Sequence, residues 1–243
     1  MTTFTFNGVD FTEYLDVAGF EMPAIAEVTP AVAEISGRDG AAYMGSVLQP
    51  LTIIVKARLA TDTIEPAEIQ RQWAIVAAMM RTEEPAELSI TPGIYRKAVL
   101  QGQTALEFNT YSANADLSFY CPDPVAYGNA REVSVPSGGL ATFVVGGTYP
   151  AAPTVVASSA VRDSQTGLWR LRLDDGGHLA VPTGTAAASA VTVDCLERTC
   201  TVNGAVALPT LESDWFTLGP GEHTVSNDLG SGACTISFRE RWL

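Results

Sequence analysis

The sequence predicts a mainly β protein in two parts, the first of which carries a single α-helix. Three observations lead there. Apolar and polar residues alternate with a period of two over much of the chain, in runs bounded by Gly, Pro, Asn, Asp and Ser. One stretch only, from about residue 65 to 82, has a helical period. Between residues 125 and 132, just past Cys121-Pro122-Asp123-Pro124, the texture shifts to short β runs separated by tight turns. Two prolines within three residues cannot sit in a central strand, so the first sheet is expected to end there. The expected domains are therefore 1–128 and 129–243, the second an antiparallel sandwich or jelly roll.

Taken in order, Phe4-Thr5-Phe6 before Asn7-Gly8 reads as a short strand and a tight turn. Residues 25–36 form an extended stretch with Pro23 and Pro30 close by. Gly37-Arg38-Asp39-Gly40 follows, a loop or hairpin tip whose glycines permit positive φ. Leu51 to Arg58 is β-branched and apolar, then alternating, and is the best strand candidate in the chain. In the helix, Ile69, Trp73, Val76 and Met80 recur at spacings of four, three and four. Pro66 falls in the first turn, where its missing N–H costs nothing, and Pro85 prevents continuation. Glu65 and Glu68 complement the helix N-terminus and Arg81 the C-terminus. A lone amphipathic helix in a β-rich chain is expected to pack on its own sheet.

Segments 86–90, 94–101, 103–110 and 114–121 return to a period of two. In the second half, Phe143 to Pro150 reads as a strand and a Gly turn. Leu168 to Leu173 alternates apolar residues with Arg and turns at Asp174-Asp175-Gly176-Gly177. Asp214 to Gly221 precedes a hairpin-like Gly221–Ser226, and Ala233 to Leu243 is the final strand. A small Ala/Ser/Thr/Gly loop lies at 183–190.

Charge and cysteine usage narrow the chemistry. Lys and Arg number 14 against 27 Asp and Glu, a formal net charge of −13. Such a surface repels a phosphate backbone, so no nucleic-acid partner is expected. Twelve of the 14 cations are Arg, which suits planar contacts at interfaces. No apolar run approaches the roughly 18 residues of a membrane span, and the first ten residues lack a basic segment before an apolar one. Neither a membrane nor a secretory leader is expected. Cys121, Cys195, Cys200 and Cys234 are too few for a disulfide scaffold. Cys195 and Cys200 flank a predicted hairpin turn, but no second Cys/His pair stands at zinc spacing, so they read as reduced thiols that fill space.

Catalytic signatures are missing. His178 and His223 sit in turn contexts without triad spacing, and there is no nucleophile elbow, P-loop or dinucleotide fingerprint. Glu83-Glu84 and Asp174-Asp175 are adjacent acids that should point apart into water, and the latter lacks the alternating oxygens of a calcium loop. Trp169, Trp215 and Trp242 are candidates for stacking on sugar, but no convergent polar set accompanies them and core packing is expected. No catalytic, metal-binding or cofactor-binding residue is assigned.

The order FNG near the start, GRDG at 37–40, strand–helix–strand, YCPDPVAYG at 120–128, VGGTYPAAP at 145–153, SDWFTLGPGEHTV at 213–225 and a terminal FRERWL resembles the distal tail proteins of siphovirus-type bacteriophages and prophages. The resemblance covers nearly the whole chain. It implies an N-terminal split β-barrel or sandwich with one α-helix, followed by a C-terminal galectin-like antiparallel β-sandwich. It implies a non-enzymatic virion component without cofactor: a hexameric hub, of one ring or two, at the distal end of the tail tube. Its partners would be itself, the tail tube protein, the tail-associated tip protein and receptor-binding proteins. Its place would be the tail tip, after assembly in the host bacterial cytoplasm. Carried onto this sequence, the arm that clasps a neighbour would run from Ile35 to Met44, with Ile35, Gly37, Arg38, Asp39, Gly40 and Tyr43 at the interface. Pro122, Asp123, Pro124, Tyr127 and Gly128 would form the domain junction. The His-x-Asn-x-Arg and Trp-x-x-Glu-x-Arg sets with which galectins grip sugar are absent from the sequence. Two rival readings are a carbohydrate-binding β-sandwich module for the bacterial cell wall and a β-sandwich hydrolase whose acids meet only in the fold.

Overall fold

The computed structural model describes residues 3–60, 65–102, 104, 106–109, 112–161, 163–183, 189–227 and 232–243. The chain divides into two units, Met1–Tyr127 with Leu243, and Gly128–Trp242.

In the first unit, Asn7 (φ 50°) and Gly8 (φ 77°) both adopt the left-handed backbone that a type I′ turn needs. They join β1 (Thr5–Phe6) to β2 (Val9–Asp10). Asp10 caps the 3-10 turn Phe11–Glu13 by accepting the Thr12 N–H at 3.0 Å. The elements that follow are β3 (Leu15–Glu21), β4 (Val28–Glu34), β5 (Ala41–Leu48), β6 (Leu51–Leu59), α1 (Pro66–Met80), β7 (Ala86–Thr91), β8 (Ile94–Leu100), β9 (Leu106–Asn109) and β10 (Ser112–Cys121). The main sheet runs β2–β1–β7–β8–β10–β6–β3, with β9 paired onto β10. Each described pairing is antiparallel.

This sheet curls on itself. β1 and β10 are three pairings apart, about 14 Å in a flat sheet, yet the rings of Phe6 and Phe119 are 5.0 Å apart. The curl encloses a core of Phe4, Phe6, Phe11, Ile53, Val55 and Phe119, each almost wholly buried. β6 supplies that core with Leu51, Ile53, Val55, Ala57 and Leu59, every second residue of the strand. α1 adds Ile69, Trp73, Val76 and Met80, the predicted stripe. Arg81 departs from expectation: its backbone is extended (φ −78°, ψ 120°), and the last helical turn holds no basic residue. Of the predicted strand 103–110, β9 takes Leu106–Asn109, and residues 103, 105 and 110 lie outside the described residues.

The second unit uses β11 (Ala126–Val135), within which the division falls, then β12 (Leu140–Val145), β13 (Thr154–Ala160), β14 (Leu168–Leu173), β15 (His178–Pro182), β16 (Ser189–Asp194), β17 (Thr199–Val202), β18 (Ala205–Val206), β19 (Gly221–Asn227) and β20 (Cys234–Trp242). One row of strands is ordered β18–β17–β16–β13–β20–β11 and the other β12–β19–β14–β15. Contrary to expectation, the prolines at 122 and 124 end strand β10 but not its sheet: the chain re-enters it at once, Tyr127 of β11 pairing antiparallel with Tyr95 of β8, because prolines that interrupt one strand leave the neighbouring strand's edge free to pair. Trp169, Leu171, Leu179, Leu218 and Ile236 are fully buried in a single core to which both sheets contribute, making this unit an antiparallel β-sandwich. Gly147 explains the VGGTYP segment: at φ +95° it lies so near β20 that a Cβ there would come within 2.1 Å of the Arg241 carbonyl oxygen.

Two local expectations change. Gly221–Ser226 belongs to β19, a continuous strand paired with β12 on one side and β14 on the other, not to a hairpin tip. Its period of two turns His223 inward, so this histidine is buried rather than an exposed turn residue. Phe216 and Leu218 are buried outside any strand, Leu218 being held by reciprocal backbone hydrogen bonds to Ala151. Of the loop at 183–190, residues 184–188 lie outside the described residues.

The helix stripe has a direct check. Trp73→Ala removes a side chain packed into the first core and is expected to destabilise that unit by about 3–5 kcal/mol. Urea unfolding followed by hydrogen exchange in residues 51–59 measures it, and an unchanged midpoint would contradict the packing.

Candidate functional site

The segment from Met22 to Pro50 is apolar at places where a protein surface is ordinarily polar. β4 and β5 pair only with each other among the described residues. Their register matches Val28 with Leu48, Pro30 with Ser46, Val32 with Tyr43 and Glu34 with Ala41. A bulge between Ala31 and Val32 leaves Met44 without an opposite residue, next to Gly45 at φ +140°. At the tip, the Arg38 N–H donates to the Ile35 carbonyl at 3.1 Å, and Gly37 and Gly40 take φ of +79° and +80°. The tip carries Glu34, Arg38 and Asp39, all exposed.

This ribbon is exposed on both faces. Val32 is 58% exposed, Tyr43 66%, Met44 71% and Val47 61%, with Val28 and Ile35 close to half. Two strands by themselves bury too little to be stable in water. Exposed apolar surface of this extent is the mark of an interaction site. The outer edges add rows of unpaired backbone groups, which invite strand addition.

The predicted interface residues fall here. Ile35, Gly37, Arg38, Asp39 and Gly40 form the tip, and Tyr43 lies in β5. The hairpin is longer than the Ile35–Met44 segment, spanning Val28–Leu48. Val28, Val32 and Val47 were missed by the sequence reading. Their signal was present, since apolar residues occupy both parities of 28–47 and no strand with one buried face does that.

The predicted junction residues form a separate set. Pro122 leaves β10 directly after Cys121. Asp123 accepts the Val125 N–H at 3.0 Å and a hydrogen bond from the Tyr127 hydroxyl. The Tyr127 ring stacks on Tyr95 at 5.6 Å, and Arg96 Nε donates to the Pro124 carbonyl at 3.4 Å. Arg96 has its pKa lowered by this burial. Gly128 leaves room for Trp242 and Glu240, which a Cβ would approach to 3.2 and 3.3 Å. The exit from the first unit is therefore a braced turn.

The titratable groups elsewhere serve structure. His223 Nε2 donates to the Gly219 carbonyl at 2.7 Å. In the turn at 174–177, Asp174 accepts the Thr224 N–H and Asp175 the Gly177 N–H. Trp169 lies in the core, out of reach of any sugar. No group of three or more His, Cys, Asp or Glu placed to hold a metal occurs among the described residues. All four cysteines are free and buried. Burial pushes the Cys121 thiol up to about 11 and those of Cys195 and Cys234 to about 12, and also raises that of Cys200.

Comparison with known proteins now bears on this arrangement. Residues 9–121 match the phage tail protein RIFT-related domain, and residues 146–242 match the siphovirus-type tail component, C-terminal domain. The distal tail protein of Bacillus phage SPP1 is 26% identical across 99% of this chain and 96% of its own length.

The chain belongs to the siphovirus-type distal tail proteins.

The crystal structure of the SPP1 Dit protein, described as a paradigm of the hub adsorption apparatus in phages infecting Gram-positive bacteria, superposes with a TM-score of 0.80 at 18% identity, over the full length of both chains. A chain of the phage P2 baseplate in its activated conformation matches at a TM-score of 0.50 and 8% identity, over 99% of this chain and 98% of that one. The fold is thus that of the family in both units, and the protein is a structural component of a siphovirus-type tail.

The thiols provide a test. A folded state that keeps these protons is favoured below the ordinary thiol pKa near 9 and loses that advantage as pH rises toward 11–12. Ellman titration at pH 8 is expected to label the native cysteines at least tenfold more slowly than the urea-unfolded chain. Urea midpoints should fall between pH 9 and 11.

Proposed function

We propose that this protein is the ring-forming hub at the distal end of a phage tail tube. Six copies close head-to-tail, each first unit offering its β4–β5 hairpin to the next subunit. One ring, or two stacked rings, then joins the tube to the tip and baseplate, and the second unit anchors receptor-binding components. The observation that carries this reading is the hairpin with both faces and both edges unsatisfied. The net charge of −13 suits a ring around a passage for DNA, since an acidic wall does not hold the nucleic acid. Buried free thiols are compatible with assembly in the reducing host cytoplasm, and the exposed arm and braced exit turn suit a scaffold rather than an enzyme.

Light scattering after size exclusion, with negative-stain electron microscopy, is expected to show closed rings of six or twelve subunits. Val32→Asp combined with Tyr43→Asp should weaken association at least tenfold, about 1.4 kcal/mol per contact, with the thermal midpoint of the monomer unchanged. Arg38→Ala with Asp39→Ala should weaken it less. A protein that is monomeric at every concentration and binds cell-wall glycan would replace the hub reading with that of a carbohydrate-binding module.

A further inference from the structure

Two Asn-Gly dipeptides occur in the sequence, Asn7-Gly8 and Asn203-Gly204. The fold gives them almost the same backbone. Each makes the two-residue turn of a hairpin, Phe6 pairing with Val9 across the first and Val202 with Ala205 across the second. Asn7 has φ 50° and Gly8 77°, while Asn203 has φ 50° and Gly204 78°. Both asparagines are exposed. Both donate a backbone N–H to another strand, Asn7 to the Glu87 carbonyl at 3.0 Å and Asn203 to that of Ala190 at 2.7 Å. Beyond its chain neighbours, neither glycine has an atom within 4 Å of where a Cβ would stand.

The side chains differ. Asn203 Oδ1 accepts the Ala190 N–H at 2.8 Å and its Nδ2 donates to the Ser189 Oγ at 3.4 Å, so the amide extends the β16–β17 pairing by one step. The Asn7 amide makes no hydrogen bond among the described residues. That contrast has a chemical consequence. An Asn amide followed by Gly is open to attack by the next backbone nitrogen, because glycine has no Cβ to block the approach. The attack requires the side chain to turn until Cγ lies over that nitrogen. A free, exposed side chain samples its rotamers within nanoseconds. A tied one must first break its hydrogen bonds.

We propose that Asn7 is a site of spontaneous deamidation in the folded protein, and that the same dipeptide at 203 is protected by its ties to Ser189 and Ala190. The Gly8 nitrogen gives its proton to solvent hydroxide and bonds to Asn7 Cγ. The Cγ–Nδ2 bond breaks, and the nitrogen leaves as ammonia with a proton from water. Water then opens the cyclic succinimide: cleavage at Cγ gives aspartate, and cleavage at the backbone carbonyl gives isoaspartate. Isoaspartate routes the main chain through the former side chain and lengthens it by one carbon between Phe6 and Gly8. The change falls on the strand that closes the first core, where the Phe6 ring lies 5.0 Å from that of Phe119 and the Asn7 N–H holds Glu87. The turn also gains a negative charge.

The full-length chain is incubated at pH 6 and pH 8, folded and in guanidinium chloride, and residues 7 and 203 are followed by peptide mapping with mass spectrometry. Dividing each residue's folded rate by its unfolded rate removes the influence of its sequence neighbours. The ratio for Asn7 is expected to exceed that for Asn203 by about tenfold or more, since only the latter must give up hydrogen bonds. Conversion at Asn7 should be faster at pH 8, because the attacking nitrogen has to lose its proton, and its product should contain isoaspartate. Asn7→Gly, which this turn accepts, has no amide to lose. It should keep its thermal midpoint through an incubation in which that of the wild type falls. Equal ratios at the two positions, or an Asn7 that stays intact in the folded chain while the unfolded chain converts, overturn the proposal. A midpoint that falls as far in Asn7→Gly as in the wild type overturns the assignment of the damage to this turn.

Discussion

A ribbon of two β-strands covers almost none of its own surface, and this chain extends one from Val28 to Leu48 with apolar side chains on both faces. The rest of the structure is organised around that constraint. The ribbon has to be covered by something outside its own pairing, and it has to be presented from a base that does not deform. The first unit provides such a base. Its sheet curls until Phe6 meets Phe119, and α1 seals one side with Trp73 and Met80. A flat sheet of the same strands would leave those aromatic residues in water.

The second unit is built on a different plan. Its two sheets enclose Trp169, Leu171 and Ile236, a core independent of the first. Between the two cores the chain passes through Cys121-Pro122-Asp123-Pro124, where the prolines end strand β10 and Asp123 braces the turn through Val125 and Tyr127. Ionisable side chains across both units are spent on turns and strand ends, as with Asp10, Asp174 and Asp175. Thiols lie inside, with their protons held by burial.

Much of the fold could be read from residues alone, because local periodicity is set by local geometry. The stripe Ile69, Trp73, Val76, Met80 forms a helix face, and Leu51 to Leu59 alternates, since a helix returns every 3.6 residues and a strand every two. Asn7-Gly8 and the Pro-Asp-Pro break were legible for the same reason, being conformations that few residues can adopt. The tip of the hairpin was legible through Gly37 and Gly40. Its full length showed only as apolar residues at both parities of 28–47, the pattern of a ribbon with neither face buried within the chain, and not as the alternation of a half-buried strand.

By itself the sequence determined the class of fold, the place where strand β10 breaks, the helix and its buried face, and the lack of any recognised catalytic motif. Those are properties of neighbours along the chain. Tertiary structure alone decided that His223 turns into a core, that Gly147 must pass within reach of the Arg241 carbonyl, and that β1 arrives beside β10. It also decided that Trp73 ends in a groove with its N–H unanswered. Such facts depend on which distant residues meet, and burial and hydrogen-bond satisfaction exist only once the chain has closed around them.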